Sequence, residues 1–458
     1  MPAITRREAL AALPALAGAC SMAEGAPPLR LATFAEEITP PLGHPLMGGG
    51  VAPAKDVDDP LYAHGIVLLG AGKPVVLCAL DWCEVRNDAY QRWREALAEA
   101  AGTEPARVLL SCLHQHDAPV ADLTAQRLLE EHKAAGAVCD LDFHERAVRK
   151  VAKAVRGSLA KARRVTHLGT GKAKVEKVAS NRRFVTADGK VSFARMSATR
   201  DPAIRDKPEG TIDPWLRTLS FWDGDTPLAA LSAYATHPMS YYGKGGVSAD
   251  FVGMARRRRQ ADDPKVFQAY LTGCGGNVTA GKYNDGSPEN RPVLADRIYR
   301  AMKQAWEATE RRPVESTAFR NAELKLEARG GPGFREKDLL DRLRTDRRPF
   351  GQCLAALGLS WRKRVEAGVP IDVPAVDFGF AALLLLPAEA YVEYQLYARQ
   401  ARPGAFVLVS GYGECGPGYI PTEKHWREGD TNLSDWCWVA PGSERRVRDA
   451  IDRALKRG

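Results

Sequence analysis

The stretch Val108-Leu109-Leu110-Ser111-Cys112-Leu113-His114-Gln115-His116-Asp117-Ala118-Pro119 is an apolar run that ends in a His-x-His motif. A continuous apolar run of this length indicates a strand that is buried on both faces of a sheet. Residues two apart on a strand point to the same side, so the imidazoles of His114 and His116 would lie together at the carboxyl end of the sheet. Open α/β sheets bind their ligands at that edge. Two surface histidines in a polar loop are the alternative.

Two further apolar runs are each followed by a side chain that can bind a metal ion. His237 follows the run at residues 228–235, and Glu389 follows the run at residues 380–386. Two histidines and a glutamate at one sheet edge are the ligand set of a catalytic zinc site that keeps an open position. Taken alone, Glu389 would be an acidic residue at a helix N-terminus, which the helix dipole stabilises. The combination predicts a metal site.

Alternating strand and helix patterns predict an α/β fold. The apolar run Val75–Leu80 is followed by apolar residues at helical spacing in Asn87–Ala101 and then by the strand that leads to His114. Asp188-Gly189 and Asp223-Gly224 lie between β-like flanks, which indicates hairpins, and therefore a mixed sheet with helices packed around it. Further helices are predicted at residues 142–162, 249–260, 293–309, 336–344 and 443–456.

The composition is that of a folded globular protein. Of the 458 residues, 45% are hydrophobic and 26% are charged, which excludes a chain that is disordered throughout. The 65 basic and 56 acidic residues alternate along the chain rather than forming a basic tail, so we expect no nucleic-acid partner. No apolar segment reaches the roughly 20 residues that a transmembrane helix needs.

The N-terminus resembles an export signal. Arg6-Arg7 precede a short apolar run at residues 9–19, and Pro27-Pro28 follow it, as in a twin-arginine signal with a linker. Residues 1–28 are therefore predicted to direct export to the periplasm or cell envelope. Leu16-Ala17-Gly18-Ala19-Cys20 resembles a lipoprotein cleavage box, which makes Cys20 a candidate lipid anchor. A frayed N-terminal helix is the alternative.

The rest of the chain, residues 29–458, is predicted to be one domain. Gly330-Gly331-Pro332-Gly333 interrupt the pattern and begin a charged helical insert that runs to about residue 368. Among the nine cysteines no C-x-x-C spacing occurs, and the preferred disulfide is Cys415 with Cys437.

Two charged features have both a functional and a structural interpretation. Asp81 ends the strand Val75–Leu80 and is a candidate to orient a ligand histidine. The four arginines at residues 256–259 either bind phosphate or form the solvated face of a helix.

Together these motifs resemble the neutral/alkaline (non-lysosomal) ceramidases and their bacterial relatives. The zinc-binding Thr-His-Thr-His-Ser-Gly-Pro of that family aligns with residues 113–119. Its other motifs follow in the same order, from about Leu29 to the C-terminus. They correspond to Asn181-Arg182, His237-Pro238, Gly276-Asn277-Val278-Thr279-Ala280, Pro387-Ala388-Glu389 and Tyr419-Ile420-Pro421-Thr422.

The resemblance implies a mixed-sheet catalytic domain with a Zn²⁺ ion held by His114, His237, Glu389 and Tyr419. It also implies that His116 faces the substrate, where it could move a proton or stabilise an oxyanion, and that Arg182 contributes to the pocket. The implied reaction is the hydrolysis of an N-acyl bond, in ceramide or another lipid or small-molecule substrate, by a metal-activated water.

The chain departs from the family at three places. Asp117-Ala118 replace Ser-Gly, residues 423–427 replace a tyrosine-rich segment, and the sequence ends at Gly458, which predicts that the family's C-terminal β-sandwich is missing. Ceramide is therefore only one of the candidate substrates. The alternatives are a related metal hydrolase of soluble amides or esters, and an envelope lipoprotein that keeps the fold as a non-catalytic binding module.

Overall fold

Three mixed β-sheets form the frame of the fold in the computed structural model, which describes residues 28–70 and 72–456. The strands in this part of the chain are β1 (Arg30–Glu37), β2 (Asp56–Val57), β3 (Tyr62–Leu69), β4 (Val75–Leu80), β5 (Glu84–Val85), β6 (Val108–Cys112), β7 (Val120–Ala121), β8 (Arg163–Arg164), β9 (His167–Lys174), β10 (Ser180–Asn181), β11 (Phe184–Val185), β12 (Val191–Ser192), β13 (Trp215–Asp223), β14 (Thr226–Tyr234), β15 (Gly246–Val247), β16 (Phe267–Thr272), β17 (Val278–Thr279), β18 (Glu310–Pro313), β19 (Ala318–Leu324), β20 (Ile371–Asp377), β21 (Ala381–Leu385), β22 (Glu389–Ala390), β23 (Phe406–Ser410) and β24 (Tyr419–Ile420).

The helices lie mainly between and outside the sheets. Those in the described ranges are α1 (Asn87–Ala101), α2 (Leu123–Glu131), α3 (Leu141–Ser158), α4 (Pro202–Arg205), α5 (Asp250–Asp262), α6 (Asn290–Glu307), α7 (Glu336–Thr345), α8 (Pro349–Glu366), α9 (Val392–Ala401), α10 (Glu423–Arg427) and α11 (Ser443–Leu455).

Each of the three sheets contains one parallel pair of strands. The first sheet has the order β6-β4-β3-β1-β8, the second β16-β14-β13-β9-β18, and the third β19-β20-β21-β23. The parallel pairs are β4 with β6, β14 with β16, and β21 with β23, while the other neighbours in these sheets are antiparallel. Ligand sites in α/β proteins form beyond the carboxyl ends of parallel strands, so this topology creates three adjacent places for functional residues.

The sheets share one apolar core, and helices cover their other faces. Leu109 of the first sheet, Leu231 of the second and Leu383 of the third belong to the same buried cluster. Helices α1 and α3 contact the first sheet, α5 and α6 the second, and α9 and α11 the third. This arrangement explains why the predicted strands are apolar on both faces.

Local sequence signals set the helix ends. Asp122 and Asp140 cap the N-termini of α2 and α3, because their carboxylates accept hydrogen bonds from Ala125 N and Phe143 N. Helix α1 ends at Gly102, whose φ of 68° is the left-handed conformation that glycine adopts without steric cost.

Much of the predicted architecture is confirmed. The Asp-Gly turns join the antiparallel pairs β11–β12 and β13–β14, and the sheets are mixed. The region at residues 330–368 is helical as predicted. Its charged character holds for α7, whereas α8 is largely buried, through residues such as Cys353, Leu357 and Trp361.

Three other interpretations are corrected. Cys415 and Cys437 are both free, buried thiols, so the predicted disulfide is wrong. The carboxylate of Asp81 does not orient a ligand histidine, because it accepts two hydrogen bonds of 2.6 Å from Arg256 and another from Tyr62 N. The four arginines at residues 256–259 form neither an anion site nor a purely solvated face, since each pairs with an aspartate.

Residues 1–27, which contain nearly all of the predicted export signal and Cys20, lie outside the described residues. Across the two described ranges, none of the helices combines the length and apolar character that crossing a bilayer requires.

Candidate metal centre

The carboxyl ends of the three parallel pairs meet at one place, where hydrogen bonds join the sheets directly. Cys112 N, at the end of β6, donates to Tyr412 O beyond β23 at 3.0 Å. Gly411 N donates to Thr272 O at the end of β16 at 2.8 Å. Thr272 Oγ1 in turn donates to Leu113 O at 2.9 Å. Residues that follow these strands are therefore brought close together although they are far apart in the sequence.

His114, His237 and Glu389 come together at this junction. Their ligand atoms all lie within 4.8 Å of one another, and the three side chains are fully or almost fully buried. Glu389 Oε2 lies 3.1 Å from His114 Nε2 and 2.9 Å from His237 Nε2. The spatial convergence expected from the three strand ends is present, and this group could hold a metal ion.

The backbone beyond β16 fixes the ring of His237. Its Nδ1 lies 2.7 Å from Gly275 O and 3.2 Å from Val278 O. A carbonyl oxygen only accepts hydrogen bonds, so Nδ1 carries the proton and Nε2 presents its lone pair towards Glu389. The Gly-rich loop makes this contact possible, because a Cβ on Gly275 would lie 3.1 Å from His237 N and one on Gly276 only 2.2 Å from Glu389 O.

His114 is held by a carboxylate and by an aromatic ring. Glu84 Oε1 lies 3.5 Å from His114 Nδ1. Tyr412 stacks on the imidazole with ring centroids 4.4 Å apart and an angle of 19° between the planes. A carboxylate behind a ligand histidine selects the tautomer whose other nitrogen faces the metal.

The backbone is strained at three residues of this junction. His114, Ala388 and Tyr412 have φ values of 66°, 53° and 54°, in the left-handed region that residues with a Cβ seldom adopt. Ala388 directly precedes Glu389. Strain of this kind persists only where surrounding structure enforces it, and it concentrates at functional sites.

Burial and neighbouring charges set the protonation states of the group. Burial by itself would raise the pKa of the Glu389 carboxyl, but the neighbouring His114 and His237 outweigh it and lower that pKa below its ordinary value. Burial and the Arg182 charge lower the pKa of His237 to about 4. His237 and Glu389 therefore have the protonation states that bind metal ions, a neutral imidazole and an ionised carboxylate, whereas Glu389 and Glu84 outweigh burial and raise the pKa of His114.

Tyr419 and Arg182 lie beside the group as a pair. Arg182 Nη1 donates a 2.7 Å hydrogen bond to the Tyr419 hydroxyl, and Arg182 Nη2 lies 3.4 Å from His237 Nε2. Arg182 reaches this place because β10 ends next to it and pairs with β17, on the loop that holds His237. Burial raises the pKa of the Tyr419 hydroxyl despite the nearby guanidinium.

His116 lies next to His114, with ring centroids 5.3 Å apart, and packs edge-on against Tyr242 at 4.8 Å. Burial, followed by the proximity of His114 and His237, lowers the pKa of His116 well below its usual value. Within the described part of the chain its Nδ1 atom has no hydrogen-bond partner. The structure thus presents a neutral imidazole with a free nitrogen beside the candidate ligands.

A cavity of about 270 Å³ opens onto these residues. His114, His116, Glu389 and Tyr419 line its buried end. Its walls include apolar side chains from α8 and from the segment before α11, among them Phe350, Leu354 and Trp436.

Comparison with known proteins reveals the same architecture. Neutral ceramidase from Pseudomonas aeruginosa, in its crystal structure, superposes with a TM-score of 0.69 and 17% sequence identity over 93% of this chain and 74% of that one. A second ceramidase structure, a complex with C2, gives a TM-score of 0.69 and 16% identity over 93% of this chain and 75% of that one. This chain has the neutral ceramidase fold. No family model and no curated protein sequence matches it.

The resemblance based on motifs is thereby confirmed at the level of the fold. The ceramidase-like frame brings all six residues that the resemblance singled out, His114, His116, Arg182, His237, Glu389 and Tyr419, to one junction. Glu84, Tyr412 and Trp436 also belong to it, and sequence analysis missed them. For Glu84 a signal existed, since it lies three residues beyond Asp81 after the same strand, whereas Tyr412 and Trp436 have no comparable local signature.

Proposed function

We propose that this chain is an exported, zinc-dependent amide hydrolase of the neutral ceramidase type, which cleaves an N-acyl bond in ceramide or a related lipid or small-molecule substrate. The observation that carries the proposal is the convergence of His114, His237 and Glu389, two of which, His114 and Glu389, line the buried end of a largely apolar cavity together with His116.

The donor atoms suit the ion. Two imidazole nitrogens and one carboxylate oxygen are the protein ligands of many catalytic zinc sites, and the anchored Nδ1 of His237 leaves Nε2 free to coordinate. Tyr419 is proposed as the fourth ligand, since it lines the same cavity and Arg182 Nη1 holds its hydroxyl by a hydrogen bond. When bound, zinc supplies a Lewis acid that polarises a carbonyl oxygen and increases the acidity of water.

The side chains around the ligands supply the other steps. His116 is proposed as the general base and acid, because it lies beside His114 and its Nδ1 has no hydrogen-bond partner among the described residues, so it can accept a proton from the attacking water and return it to the leaving amine. Arg182 holds a permanent positive charge next to Tyr419 and His237, where it can stabilise negative charge that develops on the substrate oxygen. The apolar walls exclude water from the acyl side of the substrate.

The experiment combines elemental analysis with an amidase assay on N-acyl substrates that include ceramide. His114→Ala and His237→Ala are expected to lose both bound zinc and activity. His132→Ala is the matched control, because His132 lies at the C-terminus of α2, outside the cavity. Unchanged zinc content in both site variants would refute the proposal. A folded protein that holds no metal and hydrolyses nothing, yet retains a ligand, would instead indicate a binding module.

Export is tested separately. Residues 1–28 fused to a reporter are expected to carry it out of the cytoplasm, and Arg6→Lys with Arg7→Lys to abolish that transfer, since twin-arginine signals depend on both arginines. Cys20→Ala tests the lipid anchor, because it removes the thiol that would carry the lipid while keeping the signal. Export of the reporter that persists after both arginines are replaced would contradict the proposed twin-arginine route.

A further inference from the structure

A groove with a basic border lies far from the candidate metal centre. Lys161, Arg163 and Lys265 line it, and all three residues are exposed. The apolar residues that line it include Leu31 and Phe267, and no acidic residue does. Within residues 28–70 and 72–456, none of the three cations forms an ion pair. Their charges are therefore available to an anionic partner.

Two sheets bring these cations together. Arg163 belongs to β8, where it pairs with Leu31 of β1 at the edge of the first sheet. Lys161 ends the single turn of 3-10 helix that follows α3, two residues before Arg163. Lys265 lies between α5 and β16, and Phe267 begins β16 in the second sheet. The groove therefore bridges the two sheets where β1 and β16 begin.

The surroundings of this basic groove add positive charge. Arg30 is exposed, donates to Ala162 O and pairs with no carboxylate in the described part of the chain. Arg164 lies 3.0 Å from Asp223, so these two charges cancel. Asp263 is the nearest acid along the chain to any cation of the groove. Four cations thus outnumber one acid at this end of the domain.

The basic groove and the candidate metal centre lie at opposite ends of the same strands. Leu228, near the start of β14, lines the groove, whereas His237 follows the end of β14. The six residue steps from Leu228 to Tyr234 correspond to about 20 Å. A surface that contacts the groove therefore leaves the candidate metal centre at the far end of the strands.

The segment that is predicted to direct export joins the domain beside the groove. Leu31, which lines the groove, follows the predicted export segment, residues 1–28, by only three positions. Cys20, the candidate lipid anchor, precedes Leu29 by nine residues, which span at most about 30 Å. With a lipid on Cys20, the basic groove is the part of the domain that this short connection holds nearest to the membrane.

We propose that the basic groove docks this protein onto a bilayer that contains anionic phospholipids. Lysine and arginine bind phosphate groups through charge-assisted hydrogen bonds, and each cation near an anionic membrane surface raises the affinity about fivefold. Docking in this way places the candidate metal centre at the end of the domain that points away from the bilayer. The proposal does not depend on the proposed hydrolysis.

The test is co-sedimentation of the full chain with vesicles of phosphatidylglycerol and phosphatidylcholine in equal parts, and with phosphatidylcholine vesicles. Cys20→Ala in every protein ensures that no lipid is attached. We expect stronger binding to the anionic vesicles. Raising the ionic strength from about 0.1 M to about 1 M should reverse it, because the Debye length falls from about 10 Å to about 3 Å.

Replacing the cations of the groove should weaken this binding. Lys265→Gln is expected to lower the affinity for anionic vesicles about fivefold, and Lys161→Gln, Arg163→Gln and Lys265→Gln together about 100-fold. These side chains are exposed, so we expect the variants to fold, which thermal unfolding verifies. An affinity of the triple variant equal to that of the parent chain would overturn the proposal.

The matched control combines Lys337→Gln, Arg344→Gln and Arg445→Gln. It removes the same charge from exposed residues of α7 and α11 that form no ion pair within the described ranges. Both triple variants retain residues 1–28, so any contribution of that segment to binding is common to them. Equal losses in the two triple variants would show that the overall charge of the chain drives binding, and would overturn the groove as the docking site.

A dye that is sensitive to solvent locates the contact. The eight cysteines in the described ranges are buried, so one introduced surface cysteine takes a maleimide dye selectively. A dye on Ala160→Cys, next to Lys161, is expected to report transfer out of water when anionic vesicles are added. A dye on Thr345→Cys, between Arg342 and Arg348 of the cavity lining, should not respond. The reverse pattern would overturn the proposed orientation.

Two further measurements separate the alternatives. Binding to heparin that the triple groove variant loses, without binding of the parent chain to anionic vesicles, would indicate a soluble polyanion as partner and overturn the bilayer. The groove variant should keep the zinc content and the amidase activity of the parent chain. A parent chain that binds anionic vesicles through the groove but holds no zinc and hydrolyses no amide would refute the proposed hydrolase and support the docking surface.

Discussion

The indole N–H of Trp436 donates a 3.2 Å hydrogen bond to Oε1 of Glu84, the same oxygen that lies 3.5 Å from Nδ1 of His114. The other oxygen of Glu84 accepts a 2.8 Å hydrogen bond from Arg86, whose guanidinium lies over the ring of Trp438. One buried carboxylate therefore connects the wall of the cavity with a candidate metal ligand.

Glu84→Gln is expected to weaken zinc binding by about 10- to 100-fold, because a carboxylate behind a ligand histidine orients it and increases its basicity. Competition against a chelator of known affinity measures the change. Trp436→Phe removes the indole donor but leaves the contact between Glu84 and His114, so a smaller loss is expected. Equal zinc affinities in wild type and Glu84→Gln would contradict this role.

Zinc is expected to stabilise the folded chain through mass action. At a free concentration of about 1,000 times Kd, a ligand that binds only the folded state adds about 4 kcal/mol to the free energy of unfolding. Urea titrations with and without zinc should show this difference in wild type and in His132→Ala, and little of it in His237→Ala. An equal gain in His237→Ala would place the zinc elsewhere.

Gly276→Ala is expected to disrupt the centre without touching a ligand side chain. A Cβ at this position would lie 2.2 Å from Glu389 O, so the backbone that carries the ligand has to move. Both zinc affinity and thermal stability should fall. Gly330→Ala is the matched control, because a Cβ there has no atom within 4 Å. Full zinc affinity in Gly276→Ala would show that the loop adapts.

The buried ion pair of Asp81 and Arg256 should contribute far more to the free energy of unfolding than ion pairs on the surface do. Asp81→Asn leaves a buried guanidinium without its charge partner, and a loss of about 3 to 5 kcal/mol in the free energy of unfolding is expected. Asp296→Asn breaks pairs with the exposed Arg258 and Arg300 and should cost less than about 1 kcal/mol. Similar urea midpoints for the two variants would be inconsistent with this account.

Asp117 should make stability depend on pH. Burial raises the pKa of its carboxyl from 3.8 to about 6. A raised pKa means that the folded state binds the proton more tightly than the unfolded state, so this stabilisation is complete below pH 3.8 and is lost as the pH rises through about 6. Asp117→Asn, which keeps an oxygen that can accept from Gly243 N, removes the titration.

Relative to wild type, the free energy of unfolding of Asp117→Asn should therefore increase by about 1 to 3 kcal/mol between pH 4 and pH 7.5. Urea unfolding at both pH values checks this difference. A difference between the two proteins that does not vary with pH would show that Asp117 titrates alike in the folded and unfolded chains.

The candidate ligands could be predicted from sequence because their signals are local. Each of His114, His237 and Glu389 follows an apolar run, and the end of such a run is visible without knowing what it packs against. The hairpins could also be predicted from sequence, because an Asp-Gly turn depends only on the few residues around it. The meeting of three strand ends at one point depends on sheet order, which no local signal gives; it was inferred from the metal-binding chemistry that the three residues share, and the family motifs supported it.

The residues that were missed or misjudged depend on contacts across long sequence distances. Nothing in the sequence near Asp81 shows that Arg256 neutralises it, or that Glu84 instead faces the candidate ligand His114. Helix α8 ends in basic residues, so its sequence was interpreted as charged, although its central residues are apolar and buried. Tyr412 lies in a Gly-rich segment whose left-handed backbone is imposed by its hydrogen bonds to the other sheets.

Because the candidate ligands His114, Glu389 and Tyr419 line the buried end of the cavity, whatever fills the cavity also covers their exposed atoms. Under the proposed function, departure of the product and loss of a bound ion would then be linked. An acid product that remained in the cavity would slow the exchange of that ion, so the ion would be retained best during turnover.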